Sequence, residues 1–241
     1  MSTVAILFGR KGSKGIKNKN IYKLNNKPLF KHPLDEAKKV SQIKKIYVST
    51  DDEKIINGAK KIGCQILHRP KSLTSDKALL SDAMQDAVHK VLKIEKNLKF
   101  IVLLLCNSPC FTFKELEKGF KIIKKDKKVQ TVTTISKLNM FSPVRAKKIS
   151  GGKLINYIDN KTLSRYTALS GDRNKSVDSF FCTNAFSICT ADSLKDMSKN
   201  PWPFKWMGKR IKYIIQEHSV GDIDFEWQLP SVEWWLKKYK R

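Results

Sequence analysis

Acidic residues are scarce in this chain. Among 241 residues, 22 Asp and Glu stand against 48 Lys and Arg, a formal net charge of +26 at pH 7. Such a balance favours anionic partners: nucleotides, nucleic acid or acidic lipids. The excess is mostly lysine and runs from end to end, so a lysine-rich solvated surface accounts for most of it. No single basic stripe interleaved with aromatics marks a nucleic-acid surface.

Cysteine and histidine are also few. Cys64, Cys106, Cys110, Cys182 and Cys189 form an odd set without a Cys-x-x-Cys pair or zinc spacing. Most lie in apolar runs, where a free thiol behaves as a small hydrophobe. The four histidines, His32, His68, His89 and His218, make no ligand-spaced pair. No stretch approaches the ~18 apolar residues of a membrane span. The N-terminus enters an apolar run with no charged region and leader-like segment before it, which sets the expectation of a cytoplasmic protein. There are no internal repeats and no convincing linker, so one domain over 1–241 is expected. Two nucleotide-loop signatures are missing as well: neither Gly-x-x-x-x-Gly-Lys-Ser/Thr nor Gly-x-Gly-x-x-Gly occurs.

What the chain does have is a different loop. Val4-Ala-Ile-Leu-Phe8 reads as a buried strand, and Gly9-Arg10-Lys-Gly12-Ser13-Lys14-Gly15-Ile-Lys17-Asn-Lys19-Asn20 follows it. Glycines let a backbone approach a ligand closely, and consecutive free N–H groups can form an anion-binding nest. Arg10, Lys11, Lys14, Lys17 and Lys19 add donors suited to phosphate oxygens. The stretch is a polyphosphate cradle in prospect, with a solvated lysine loop as the bland alternative.

Downstream, strands alternate with helices. Pro28 is expected to open a helix running to about Lys38. Lys45–Ser49 reads as a strand, and Asp51 and Asp52 read as caps of the helix that ends at Gly63. Cys64–His68 is a short strand. Ser75 or Asp76 is expected to cap the next helix, whose stripe includes Leu79, Leu80, Met84, Val88 and Val91. Phe100–Leu105 is the most apolar strand and is expected at the sheet's centre. Asn107 follows at its carboxyl end, where open α/β sheets place ligands. Further elements are a helix over Phe113–Lys124 and strands over Gln130–Ile135, Phe186–Cys189 and Arg210–Gln216. A hairpin-like excursion is expected between Phe141 and Tyr157. The alternation implies an α/β fold with a mostly parallel sheet and helices on both faces.

Near the other end, Asp222-Ile223-Asp224 puts two carboxylates on one side of an extended backbone. Such a pair can share an Mg²⁺ that also binds phosphate oxygens. Asp224 capping a helix from about Phe225 is the structural alternative. Trp227, Pro230, Trp234 and Trp235 read as core or dimer packing.

Arg10-x-Gly12-Ser13-Lys14 with Lys19-Asn20 resembles the first motif of the N-acylneuraminate cytidylyltransferase family, Ala-Arg-x-Gly-Ser-Lys-Gly-x-x-x-Lys-Asn; Gly9 replaces its alanine. Arg69-Pro70-x-x-Leu73-x-x-Asp76 and Asp222-Ile-Asp224 are similar to its later motifs, in the same order. The resemblance implies a Rossmann-like nucleotidyltransferase fold. It also implies transfer of CMP from CTP to a sialic-acid-like nonulosonate with loss of pyrophosphate, in surface glycan synthesis. Arg10, Gly12, Ser13, Lys14, Lys19, Asn20 and Arg69 would hold the nucleotide, with Arg10, Lys19 and Asp224 catalytic. Asp222 and Asp224 would hold Mg²⁺, and Asn107 and Arg173 would meet the sugar. A homodimer through an arm at about 139–180 is implied too. Leu105 stands where the family has a sugar-binding glutamine, and Asn184-Ala185 lacks the glycine of the family's Asn-Gly-Ala. The same chemistry on a pseudaminic, legionaminic or Kdo-type acid is the near alternative. A nucleic-acid-binding protein or an inactive family member are the others.

Overall fold

The structure is a computed structural model that describes residues 2–12, 15–165, 178–219 and 221–240. In chain order the strands are β1 (Ser2–Phe8), β2 (Lys23–Leu24), β3 (Lys27–Pro28), β4 (Lys45–Thr50), β5 (Gln65–His68), β6 (Leu98–Leu105), β7 (Thr131–Lys137), β8 (Lys147–Ser150), β9 (Lys153–Asn156), β10 (Phe180–Thr190) and β11 (Ile211–Ile215). The helices are α1 (Lys31–Lys38), α2 (Glu53–Lys60), α3 (Leu80–Ile94), α4 (Phe113–Lys125), α5 (Asn160–Leu163), α6 (Ala191–Leu194) and α7 (Leu229–Tyr239).

Seven strands form the main sheet in the order β11-β7-β10-β6-β1-β4-β5. All pairings are parallel except those of β10, which runs antiparallel to β6 and β7. The apolar run of β6 takes the central place, as its composition requires: a strand buried on both faces reads as continuous hydrophobes. Alternation shows both faces covered. Ala5, Leu7, Val102 and Leu104 pack with Leu34, Ile55, Ala59, Leu116 and Phe120 of α1, α2 and α4. Ile6, Phe8, Ile101 and Leu103 pack with Met84, Val88 and Leu194 of α3 and α6. No helix among the described residues is long and apolar enough to cross a membrane.

A third, smaller core matters most for the site. Ile16 from the first loop, Leu24 and Leu29 from the β2–β3 hairpin, Cys110, Ile223, and Val232, Trp235 and Leu236 of α7 pack together. This cluster fastens the last helix against the glycine loop. Burying side chains such as Leu29, Ile223 and Val232, each fully covered, contributes roughly 1.5–3 kcal/mol apiece.

Several local expectations are corrected. Pro28 lies in a strand, not a helix: Asn25 and Asn26 adopt φ of 48° and 59°, the paired left-handed residues of a two-residue hairpin turn, and α1 starts only at Lys31. Neither Ser75 nor Asp76 caps α3, which begins at Leu80 without a side-chain cap. Asp52 caps α2 by accepting from the Lys54 N–H, whereas Asp51 faces the first loop instead. The tail aromatics divide: Trp235 is buried, while Trp227 and Trp234 are exposed. The expected hairpin is present as β8 and β9, joined at Gly151-Gly152 and standing apart from the main sheet. Arg173 and the rest of 166–177 lie outside the described residues, as do Ser13 and Lys14.

Candidate active site

A cleft of about 490 Å³ opens at the carboxyl ends of β1 and β6. Of the residues singled out by sequence, Arg10, Lys19, Asn20, Arg69, Asn107, Asp222 and Asp224 line it together. Gly12 does not line it; it has φ of +76° with open space where a side chain would stand. That left-handed turn favours glycine.

The loop after β1 is tied down residue by residue. Asp51 Oδ1 accepts the Lys11 N–H at 2.7 Å. Asn20 Nδ2 donates to the Arg10 carbonyl at 3.0 Å, so this part of Asn20 holds the loop itself. Gly9 is required by crowding: a Cβ there would lie 2.4 Å from Cys106 Sγ. Cys106 is fully buried, and burial pushes its thiol well above the ordinary range. It is packing material, not a nucleophile.

Arg10 donates to Asp76 Oδ1 at 2.7 Å and to the Thr74 carbonyl at 3.3 Å. The Asp76 of the Arg-Pro segment thereby orients the loop's arginine. Arg69 forms the floor, its Nη2 donating to the Ser49 carbonyl at 3.0 Å. Burial pulls its guanidinium below the ordinary value, with Asp51 opposing.

The carboxylates arrive from the other end of the chain. Lys19 Nζ meets Asp224 Oδ1 at 2.7 Å, across 205 residues of sequence. Helix capping by the Asp224 side chain is not what the structure shows; the carboxylate faces the lysine. Ile223 is fully buried between the two aspartates, so alternation turns both toward the cleft. Burial first, and then the charge of Asp224, raises the Asp222 carboxyl above its usual range. Two crowded carboxylates facing one cationic loop form a hard-oxygen donor set that a divalent cation would relieve. Among the described residues no cluster of three or more His, Cys, Asp or Glu could hold a metal. The pair would therefore leave most coordination positions to water and phosphate.

Sequence reasoning named Asn107 but not its part in holding this segment, and missed Gln228. Asn107 accepts the Ile223 N–H on its backbone carbonyl at 2.9 Å and donates Nδ2 to the Ile223 carbonyl at 3.0 Å. Expected as a sugar contact, it lines the cleft but spends that amide nitrogen on the aspartate segment. Gln228 receives the N–H groups of Asp224 and Phe225 at 2.7 and 2.8 Å and donates to the Asp222 carbonyl at 3.1 Å. A glutamine three residues past a helix-start position, reaching back to its N–H, was the available signal. Asn184 sits in β10 with φ of 52° and its amide beside Asp222, leaving Oδ1 buried without a hydrogen-bond partner.

The comparisons fit this geometry. A bifunctional pseudaminic acid cytidylyltransferase and UDP-2,4-diacetamido-2,4,6-trideoxy-β-L-altropyranose hydrolase of Helicobacter pylori is 31% identical over 153 residues, 63% of this chain and 29% of its own. An N-acylneuraminate cytidylyltransferase of Escherichia coli is 30% identical over 141 residues, 58% of this chain and 33% of its own. The matched part thus spans about a third or less of these relatives' length. A solved CMP:2-keto-3-deoxy-manno-octonic acid synthetase complexed with CTP superposes with a TM-score of 0.69 over 99% of both chains, at 14% identity, which shows the shared fold. The family model described as cytidylyltransferase matches residues 4–163, and the chain belongs to that family.

Proposed function

We propose that this protein transfers CMP from CTP to a 2-keto-3-deoxy acid sugar of the sialic-acid type, releasing pyrophosphate, for surface glycan synthesis. The observation that carries the reading is the meeting of Lys19 and Asp224 in one cleft with Arg10 and Arg69. A cationic loop for a triphosphate faces a carboxylate pair suited to a metal. Membership in the cytidylyltransferase family supports the nucleotide, and the relatives' names support an acidic sugar.

In this reading the sugar's anomeric hydroxyl attacks the α-phosphate. An oxygen–phosphorus bond forms, the bond to the β-phosphate breaks, and pyrophosphate leaves with the electron pair. Arg10 and Lys19 neutralise charge on the reacting and leaving phosphates, and Lys14 of the same motif would add a further cation for the triphosphate. Arg69 holds the nucleotide. Asp222 and Asp224 would hold an Mg²⁺, which supplies Lewis-acid charge neutralisation and lowers the hydroxyl's pKa. In this proposal Asp224, the more exposed of the two carboxylates, takes the proton. Arg173 and Asn107 belong to the sugar side. A cytoplasmic homodimer whose arm includes the β8–β9 hairpin completes the proposal; Ile149, Leu154 and Tyr157 are exposed on or beside that hairpin.

Leu105 favours a second reading of the substrate. It lines the cleft together with Leu73, Leu79 and Leu80, which add apolar surface to the charged lining. A deoxygenated, acylated nonulosonate such as pseudaminic acid would suit that apolar lining, and the Helicobacter relative's name agrees. The test is pyrophosphate release with Mg²⁺ and CTP against a panel of nonulosonic and octulosonic acids, with ATP, GTP and UTP as controls. CTP-specific release with one acid is expected. Silence across the panel without CTP binding, with polynucleotide bound instead, would overturn the proposal.

A further inference from the structure

We infer that Gln228 is a positioning residue for the Asp222–Asp224 pair, fixing the distance between the two carboxylates and so the affinity of the site for a divalent cation. The inference rests on the metal reading of the pair given above. It starts from backbone accounting: buried N–H and C=O groups need partners, and a bent segment outside the sheet has no strand beside it to supply them. From the Asp222 carbonyl to the Phe225 N–H the partners come from two side chains and one carbonyl. Asn107 takes both polar groups of the Ile223 main chain. Gln228 takes the rest of those described: one amide group accepts from Asp224 and Phe225 and donates to Asp222.

The consequence is geometric. Gln228 Nε2 grips the peptide leaving the first aspartate, and Oε1 grips the peptide entering the second. One planar amide thus spans the pair, and the residue is itself nine-tenths buried, 9% exposed. Ile223, seated in the small core with Val232 and Trp235 of α7, blocks rotation of the segment between these grips. Gln228 directly precedes α7, so the helix, the glutamine and the carboxylates form one rigid unit. Groups that orient metal ligands from outside the coordination shell typically set affinity by roughly 10–100-fold when removed.

The experiment uses the full chain, stripped of metal, with free Mn²⁺ counted by its electron paramagnetic resonance signal. Asp222→Asn serves as the reference that removes the site. Gln228→Met keeps the volume and loses all three hydrogen bonds; Mn²⁺ affinity is expected to fall roughly 10–100-fold with a cooperative melt retained. Gln228→Glu keeps both acceptor contacts and loses one donor; affinity within about fivefold of wild type is expected. In parallel, the Mg²⁺ concentration for half-maximal pyrophosphate release rises in Gln228→Met, while metal-free CTP affinity stays constant. Unaltered Mn²⁺ affinity in folded Gln228→Met overturns the inference and leaves the metal reading standing. Should Gln228→Met fail to fold, Gln228→Asn, one methylene too short to keep both grips, takes its place, and unaltered Mn²⁺ affinity there overturns the inference equally. Absence of a wild-type Mn²⁺ site that Asp222→Asn removes overturns the metal reading and the inference with it.

Discussion

A Cβ placed on Gly15 would stand 1.9 Å from the carbonyl oxygen of Asp224. The first loop and the carboxylate segment touch there with no room for a methyl group. Gly15→Ala is therefore expected to push the two halves of the cleft apart. Overpacking of this kind costs about 1–3 kcal/mol, while a displacement of about 1 Å in a reacting array costs on the order of 100-fold in rate. Steady-state pyrophosphate release and thermal melting, measured side by side, should show the large kinetic loss with the modest stability loss.

Lys19→Met removes the ammonium that pairs with the Asp224 carboxylate at 2.7 Å. Asp224 is about half exposed, so the ion pair itself is worth less than about 1 kcal/mol of stability. Turnover should fall on the order of 100- to 1,000-fold, the worth of one donor aimed at developing negative charge. A melting shift large enough to unfold the protein at assay temperature would show that the lysine is structural instead.

Arg69→Lys keeps the charge and loses the fork that reaches the Ser49 carbonyl. The expected outcome is a rise in KM for CTP on the order of tenfold, one hydrogen bond to a charged group. Calorimetric binding of CTP checks it without turnover.

Gly9 and Cys106 fit each other. Gly9→Ala alone would drive its methyl into the Cys106 sulfur, and Cys106→Ala alone would leave a small void. The double substitution should recover part of the loss, with a coupling of about 1–2 kcal/mol between touching residues. Urea midpoints of the four proteins measure it.

His32 carries a pH dependence away from the cleft. Burial, reinforced by the positive charge of Lys240, holds the imidazole down at about 4 from an ordinary 6.5. Its Nε2 lies 3.1 Å from the Leu24 carbonyl. The unfolded chain binds the proton first, so the contribution is complete above pH 6.5 and is lost as pH falls toward 4. The loss amounts to roughly 3 kcal/mol. Lys240→Met should raise the His32 pKa, read by NMR titration of its ring protons, and flatten the acid limb of the melting profile.

The parts of the fold that could be read in advance were those with local causes. The apolar run of β6 required a central place, and the glycine spacing at 9, 12 and 15 marked the loop. Alternation through Asp222-Ile223-Asp224 gave the inward carboxylates. What escaped had partners far away in sequence. Asp51 and Asp76 carry the side chains of helix caps, and nothing local distinguishes a cap from an acceptor for Lys11 or Arg10. The β2–β3 hairpin escaped because its two-residue strands are too short for periodicity and its turn is Asn-Asn rather than Asn-Gly. Gln228 escaped because the helix-start position it reaches back to is Phe225, not the Ser or Thr that marks a capping box.

The 205 residues between Lys19 and Asp224 also set a clock for synthesis. At typical translation speeds the first loop leaves the ribosome about 10 to 40 seconds before its carboxylate exists. Through that interval the nascent chain carries an arginine- and lysine-bearing glycine loop with no acidic end to close it. Ile16, Leu24 and Leu29 likewise wait for Ile223 and α7. The cleft between Lys19 and Asp224 is thus among the last features the chain completes, and a stop between Ile215 and Asp222 yields a protein with all seven strands of its main sheet and neither carboxylate.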